Sequence, residues 1–324
     1  MSYVEKKVRR LLGRAVQGYG LIEANDRILV ALSGGVDSTT LLWLLHDRLP
    51  RIPIVYKLFA VHVDLGFQGE DYSAVHAWVD SMGIPHRVIS SEFGPKAHSP
   101  ENRENPCFLC ARLRRTALFE EAKRLECNKI AFGHNSDDLI ETFLINIFYG
   151  SQVATMLPNQ SLFEGEIMVI RPLSLLDADT IRRFHQERDF PISVNPCPSK
   201  NAGKRQEIRE ILQGLYRKNR KIHGNILHAI HNVNPEYLPS FREISEKWIV
   251  DLRFMIAECR LKIFAEDRTK EYLQCKIYIL KSAMKTYLYE SKATPVVAKK
   301  IPTYCREVIF SFSSIAANNI VTTG

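Results

Sequence analysis

Ile28-Leu29-Val30-Ala31-Leu32-Ser33-Gly34-Gly35-Val36-Asp37-Ser38-Thr39 decides the fold. An apolar run of strand length stops at Ser-Gly-Gly, and an apolar helical pattern (Leu41, Leu42, Leu44, Leu45) begins at once. Strand, small-residue loop and helix N-terminus together make an anion cradle. Backbone N–H groups point into the loop, small side chains let a phosphate approach, and the positive end of the helix dipole lies behind. The glycine spacing is not that of a Walker loop, no Gly-Lys-Ser/Thr follows, and G-x-G-x-x-G is absent.

Outward from this stretch the chain alternates strands and helices. Ile54–Val63 reads as a second buried strand ending in His62-Val63-Asp64, followed by a helix over 70–82 and a short strand, Arg87–Ile89. Residues 91–105 read as a polar loop leading into Pro106-Cys107-Phe108-Leu109-Cys110-Ala111-Arg112-Leu113-Arg114-Arg115, the start of a helix running to about Leu125. Lys129–Phe132 is a strand, and Gly133-His134-Asn135-Ser136-Asp137-Asp138 opens a helix burying Leu139, Ile140, Phe143, Leu144 and Ile147. A strand at Ile167–Ile170 ends in Arg171, Asp177 or Asp179 caps a helix to 188, and 204–221 and 225–233 are helical. This alternation predicts an α/β fold, a parallel sheet sandwiched by helices, with ligands beyond the carboxyl ends of the strands. The expected organisation is an amphipathic basic helix in 1–26, a catalytic domain in 27–246 and a mainly helical appendage in 247–324.

Composition bounds the class. With 45% hydrophobic and 25% charged residues in 324, the chain can bury a real core. No apolar stretch reaches the ~20 residues of a membrane span, and the N-terminus has no signal core, so a cytoplasmic protein without membrane attachment is expected. The net charge of +8 is uneven: residues 247–324 hold +6 of it. The catalytic part is therefore close to neutral, and only local basic clusters bear on nucleic acid.

Seven cysteines include one C-x-x-C, Cys107 and Cys110, and Cys197 follows 87 residues after Cys110 between two prolines. A redox pair, a structural zinc, buried structural thiols and an iron–sulfur cluster on three thiolates all compete on spacing alone. For Cys127, Cys259, Cys275 and Cys305 the structural reading is preferred. Asp137 and Asp138 at a helix start can hold Mg²⁺ facing a phosphate loop, although Asp137 could equally cap the helix. Arg112, Arg114, Arg115, Arg171, Lys204 and Arg205 are the basic residues nearest these motifs and are candidates for RNA contact.

SGGVDS (33–38), PCFLCARLRR (106–115), KIAFGHNSDD (129–138), NIFYG (146–150), IRPL (170–173) and Pro196-Cys197 occur in this order. Together they resemble the TilS/TtcA-type PP-loop ATP pyrophosphatases, on the branch that makes 2-thiocytidine in tRNA. The resemblance, from about Arg27 to Pro239, implies an adenine nucleotide alpha hydrolase-like fold and an ATP-dependent tRNA thiolase. It implies a 4Fe-4S cluster on Cys107, Cys110 and Cys197, with thiolation of the cytidine at position thirty-two of the tRNA. ATP would lie on Ser33, Gly34, Gly35, Asp37 and Ser38, with its adenosine near Val63 and Asp64. Gly133 and His134 would complete the nucleotide site, and Asp37, Asp137 and Asp138 would supply the catalytic carboxylates and hold magnesium. Partners would be tRNA, a sulfur donor of the cysteine desulfurase kind and a second copy of the chain. Two features depart from the pattern: Val36 stands where the family usually has lysine, and the tail after 247 matches nothing in it. They leave two other readings open, a cluster-bearing thiolase acting on another base or a small molecule, and a zinc-stabilised RNA-binding protein with an inactive nucleotide site.

Overall fold

Every residue of Ile28-Leu29-Val30 is fully buried, because both faces of this strand are covered. Ile28 and Val30 look toward the helices around Val8, Leu12, Leu41, Leu45, Ile181 and Phe184. Leu29 looks the other way, toward Val61, Leu118, Ala122 and Ile130. Alternation of side chains along a strand turns one apolar run into two half-cores.

The computed structural model describes residues 1–193, 196–199 and 203–238. The expectations for Val194-Asn195, Lys200 and the 247–324 appendage lie outside the described residues. Contacts divide the chain at Pro235, and the unit Met1–Pro235 holds everything that follows. In order it contains α1 (Tyr3–Gly18), β1 (Arg27–Ala31), α2 (Val36–Arg48), β2 (Lys57–Asp64), α3 (Ser73–Ser81) and β3 (His86–Ser90). Next come α4 (Phe93–Ala97), α5 (Pro106–Arg124), β4 (Lys129–Ala131), α6 (Ser136–Gly150), β5 (Asn159–Leu162) and β6 (Ile167–Ile170). Helices α7 (Ala178–Arg188), α8 (Lys204–Lys218) and α9 (Lys221–His231) complete it.

The six strands lie in the order β3-β2-β1-β4-β6-β5. The chain starts in the middle, moves outward through β2 and β3, and returns to the other side of β1 with β4. All pairs among the first five strands of that order are parallel. The order reverses between β1 and β4, so their carboxyl ends flank the crevice where α/β sheets bind ligands.

Several expectations are corrected. The sheet is not wholly parallel: β5 pairs antiparallel with β6 at the edge. The loop 91–105 contains α4, and the basic helix expected over 204–221 ends at Lys218, with α9 starting at Lys221. Ile147 is 36% exposed, not buried with Leu139 and Ile140. The amphipathic helix expected in 1–26 is α1, whose Val8, Leu12, Ala15 and Val16 sit in the main core. Its basic face is partly consumed within the chain. Lys7 pairs with Asp177 at 3.1 Å, while Arg9 pairs with Glu5 and Asp47 and lies over Trp43.

Candidate active site at the carboxyl edge of the sheet

The loop after β1 is closed by its own hydroxyls. The backbone N–H and Oγ of Ser33 both donate to Ser38 Oγ at 3.1 Å, and Ser38 Oγ donates to the Gly35 carbonyl at 3.0 Å. Gly35 is the N-cap of α2 and offers no side chain to the first-turn N–H groups. Those donors are suited to an anion. Val36 packs against the main core instead of projecting a cation, so this position adds no positive charge beside the first-turn backbone N–H groups.

The β4–α6 loop lies directly on this cradle. A Cβ on Gly133 would stand 3.1 Å from the Asp37 carbonyl carbon and the Ser38 nitrogen, so a larger residue would have to push the two loops apart by a few tenths of an ångström. Asn135 then joins the two loops. Its Nδ2 donates to Asp37 Oδ1 at 3.0 Å, and its Oδ1 accepts from the backbone N–H groups of Asp137 and Asp138. Asp138 Oδ2 returns the contact by accepting from Asn135 N at 3.0 Å, completing a capping box. The helix is thus capped by Asn135, not by Asp137. Asp137 Oδ2 accepts from the Ala178 N–H at 2.7 Å, and its Oδ1 lies 3.4 Å from His223 Nε2. That employment makes Asp137 a tie between α6, α7 and α9. Asp138 is engaged as well, by Asn135 N and by Arg205, and Asp37 is held by Asn135 Nδ2.

Burial pushes both of these carboxyls up, Asp138 to about 6. Asp37 is raised further by the nearby Asp137, and Asp138 by Asp37. Two partly buried carboxylates resisting ionisation fit a site that a divalent cation would occupy, reversing both shifts. A testable consequence concerns stability. Against an ordinary value of 3.8, a folded value of about 6 means that the native state holds the proton more tightly between those limits. Stability therefore falls as pH rises through that window and stays low above it. Without divalent metal, Asp138→Asn is expected to gain about 1–3 kcal/mol at pH 7.5 and little at pH 4, measured by urea unfolding. Loss of its half-exposed contact with Arg205 at 3.3 Å subtracts little.

Val63 is buried and Asp64 ends β2 beside the cradle. Asp64 Oδ1 accepts from Gly66 N at 2.9 Å, which turns the chain toward Glu70 and Tyr72. The Tyr72 ring covers Gly34, and Ser193 N donates to the Gly34 carbonyl at 2.9 Å. Burial and the neighbouring Glu70 hold the Tyr72 phenol at about 12. His134 is kept neutral, at about 3, by burial and then by Arg171, Arg205, Arg114 and Arg115 around it. Its Nδ1 is sealed without a hydrogen-bond partner among the described residues.

The cysteines meet at the same edge. Cys107 and Cys110 start α5 behind the N-cap Asn105. Burial raises the Cys110 thiol, Arg114 opposes, and Cys197, Cys107 and Glu70 add to the rise, so all of these groups lie within electrostatic reach of Cys110. Cys197 is placed by its flanks: Ser193 is tied to Gly34, and Ser199 Oγ bonds His98 Nε2 at 2.9 Å beside α4. Among the described residues no three His, Cys, Asp or Glu side chains are gathered tightly enough for a single metal ion. Cys107 is exposed, Cys110 and Cys197 are partly so, and soft thiolate donors suit zinc or an iron–sulfur cluster. Cys127 is 5% exposed beneath α5, its thiol pushed to about 11 by burial, as a structural cysteine should be.

The basic residues divide. Arg171 is 8% exposed and donates to the Leu157 carbonyl and Gln160, so the expectation of RNA contact is corrected by burial. Arg205 is held by Asp138, Glu141 and Thr142, and Lys204 lies 4.0 Å from the Tyr149 ring centroid. Arg112 is clamped by both oxygens of Glu104. Arg114 and Arg115 act electrostatically on His134 and have no ion pair with a described carboxylate.

A family model described as the PP-loop domain matches residues 2–215. The tRNA-cytidine(32) 2-sulfurtransferase of Geobacter sulfurreducens is 35% identical over 236 residues, covering 72% of this chain and 92% of that protein. The protein of the same name from Methylobacillus flagellatus is 36% identical, covering 70% and 75%. The chain belongs to the tRNA-cytidine(32) 2-sulfurtransferase family of PP-loop proteins. A solved structure, the U34-tRNA thiolase NcsA of Methanococcus maripaludis with its [4Fe-4S] cluster, aligns with a TM-score of 0.59 at 21% identity. It covers 74% of this chain and 82% of its own and shows the shared fold. Within this sulfurtransferase family member, sequence reading misses Asn135, Glu70, Tyr72 and Ser193. Only Asn135 carries a local signal, an Asn three residues before Asp138 at a helix start. The others reach the site through tertiary contacts.

Proposed function

We propose that the protein is an ATP-dependent sulfurtransferase that converts cytidine 32 of tRNA to 2-thiocytidine. One observation supports the reading: Cys107 and Cys197 lie within electrostatic reach of Cys110, and Ser193, four residues before Cys197, donates its N–H to the Gly34 carbonyl of the loop. ATP would sit with its phosphates on Ser33, Gly34, Gly35, Asp37 and Ser38 and its adenosine by Val63 and Asp64. Gly133 and His134 would close the floor. Asp37 and Asp138 would hold Mg²⁺, which offsets the charge of the departing pyrophosphate.

Cys107, Cys110 and Cys197 would hold a 4Fe-4S cluster, which when bound supplies an open iron as a place for incoming sulfur. The C2 oxygen of the base attacks the α-phosphorus, and the bond to pyrophosphate breaks. Adenylation turns a poor leaving oxygen into AMP. A sulfur nucleophile then forms the C–S bond at C2 and AMP leaves with the C–O electron pair. The chain's part is to bring the activated base within reach of the thiol site and to exclude water, a task assigned to the Tyr72–Ser193 cover. A cysteine desulfurase, with a thiol reductant that supplies the two electrons bringing its persulfide sulfur to the sulfide level, is the proposed sulfur source, a homodimer the proposed assembly and the cytoplasm the proposed location. Among the described residues no helix is long and apolar enough to cross a membrane.

The test is anaerobic reconstitution with iron and sulfide, followed by ATP, Mg²⁺ and unmodified tRNA, with nucleosides read by mass. The expected product is 2-thiocytidine with one AMP and one pyrophosphate per sulfur. A colourless protein that binds RNA without consuming ATP would overturn the reading.

A further inference from the structure

The aromatic side chain at the thiol site faces solvent. Phe108, between Cys107 and Cys110, is 56% exposed on the first turn of α5. A lone exposed aromatic is ordinary on a protein surface. This one is set in place by its surroundings. Pro106 and the Asn105 cap, which accepts from Phe108 N at 3.2 Å, fix the backbone that carries it. The Arg112 guanidinium lies 5.6 Å from the ring centroid. Arg112 is itself locked, its two terminal nitrogens donating to the two Glu104 oxygens at 3.0 and 2.9 Å. A clamped guanidinium beside an exposed ring presents two π faces with little rotamer freedom left to lose. Farther along the same helix, Arg114 and Arg115 have no ion pair with a described carboxylate, Arg115 Nε donating to the Ala111 carbonyl at 3.2 Å, and both add positive charge within electrostatic reach of His134.

We propose that Phe108 and Arg112 form a stacking platform for an unpaired RNA base at the thiol site, a role that rests on the tRNA reading above. Unpaired loop bases are gripped by aromatic rings and Arg planes, and a sheet of positive charge beside them accommodates the backbone phosphates. Arg112 is then a base-stacking residue instead of a phosphate contact. The platform positions the RNA and takes no part in bond making. It gives the charge-neutral catalytic part a way to hold RNA close to the thiols without a large basic surface.

The experiment compares the full-length, cluster-loaded wild type with Phe108→Leu, Phe108→Ala and Phe108→Tyr. The readouts are equilibrium binding of unmodified tRNA and the fluorescence of a tRNA carrying 2-aminopurine beside the target base. Loss of the ring in Leu and Ala is expected to weaken binding about ten-fold or more and to abolish the stacking quench. Tyr should restore both. Cluster absorbance and the ATP-induced thermal shift should not change in any variant. Wild-type affinity and quench in a Phe108→Leu protein that still thiolates would overturn the platform and leave the function standing. So would loss of cluster absorbance in Leu and Ala alike, which would make Phe108 a packing residue. A wild type that neither binds nor thiolates tRNA would overturn the functional reading, and the platform with it.

Discussion

Cys110→Ala is expected to give a folded protein that binds ATP as the wild type does and makes no 2-thiocytidine, a loss of at least about 100-fold. The Cys110 thiol is half-buried and lies within electrostatic reach of Cys107, Cys197 and Glu70. Burial keeps it protonated in the metal-free chain, and a bound cation reverses that preference by stabilising the thiolate. Two remaining thiolates are too few to hold a cluster that leaves one iron open. Visible absorbance and iron content after anaerobic reconstitution should vanish together with thiolation, while the ATP-induced thermal shift remains. Cys127→Ala is the control. Its sulfur lies in the apolar core beneath α5, so removal should cost about 1 kcal/mol of stability and leave colour and activity intact. Thiolation by an iron-free Cys110→Ala protein would remove the thiols from the mechanism.

What could be read from residues alone follows physical range. The strand–loop–helix around Ser33 is encoded locally: a doubly buried apolar run, residues small enough for a phosphate, and a helix that follows without a side-chain cap. The α5 start was equally legible, because Asn105 and Pro106 are a cap and an N1 residue. Strand β5 was not, since Asn159-Gln160-Ser161-Leu162 has no apolar alternation and takes its register from β6. Helix α4 was hidden by Gly94 and Pro95, which read as breakers. Gly94 is there because a Cβ would stand 2.5 Å from the Phe67 ring. At the site, the order of motifs marked the loop, the carboxylates and the cysteines. It could not say that Asp137 is tied to Ala178 and His223, or that Arg171 is buried. Nor could it say that Tyr72 and Ser193, far apart in sequence, both close on Gly34. Those facts depend on where distant segments meet.

The second large effect is expected at Gly34. Gly34→Ala should lose at least about 100-fold in ATP affinity and about 2–3 kcal/mol in stability. Gly34 has φ +72°, a region that costs a side-chain-bearing residue ~1–2 kcal/mol. Its Cβ would also stand 2.9 Å from both Ser193 Cβ and Tyr72 Cε1. Neither neighbour yields easily. The Tyr72 ring lies 3.9 Å from the His62 ring centroid and stacks on His76, and Ser193 is bonded through its backbone to the Gly34 carbonyl. Relief therefore means lifting the cover or turning the loop, and either removes the N–H groups from the phosphates.

Two glycine controls separate the causes. Gly69 has φ +82° with open space around it, so Gly69→Ala should show the backbone cost and leave ATP affinity unchanged. Gly35 has φ −86°, and its nearest neighbour to a new Cβ is Ser33 Oγ at 3.5 Å. Gly35→Ala should therefore fold like the wild type, and any loss of ATP affinity would come from a methyl group in the path of the phosphates. Calorimetric titration with a non-hydrolysable ATP analogue reads all three. If Gly34→Ala binds that analogue as tightly as Gly69→Ala does, the phosphates lie elsewhere and Ser33–Ser38 is a turn without a ligand.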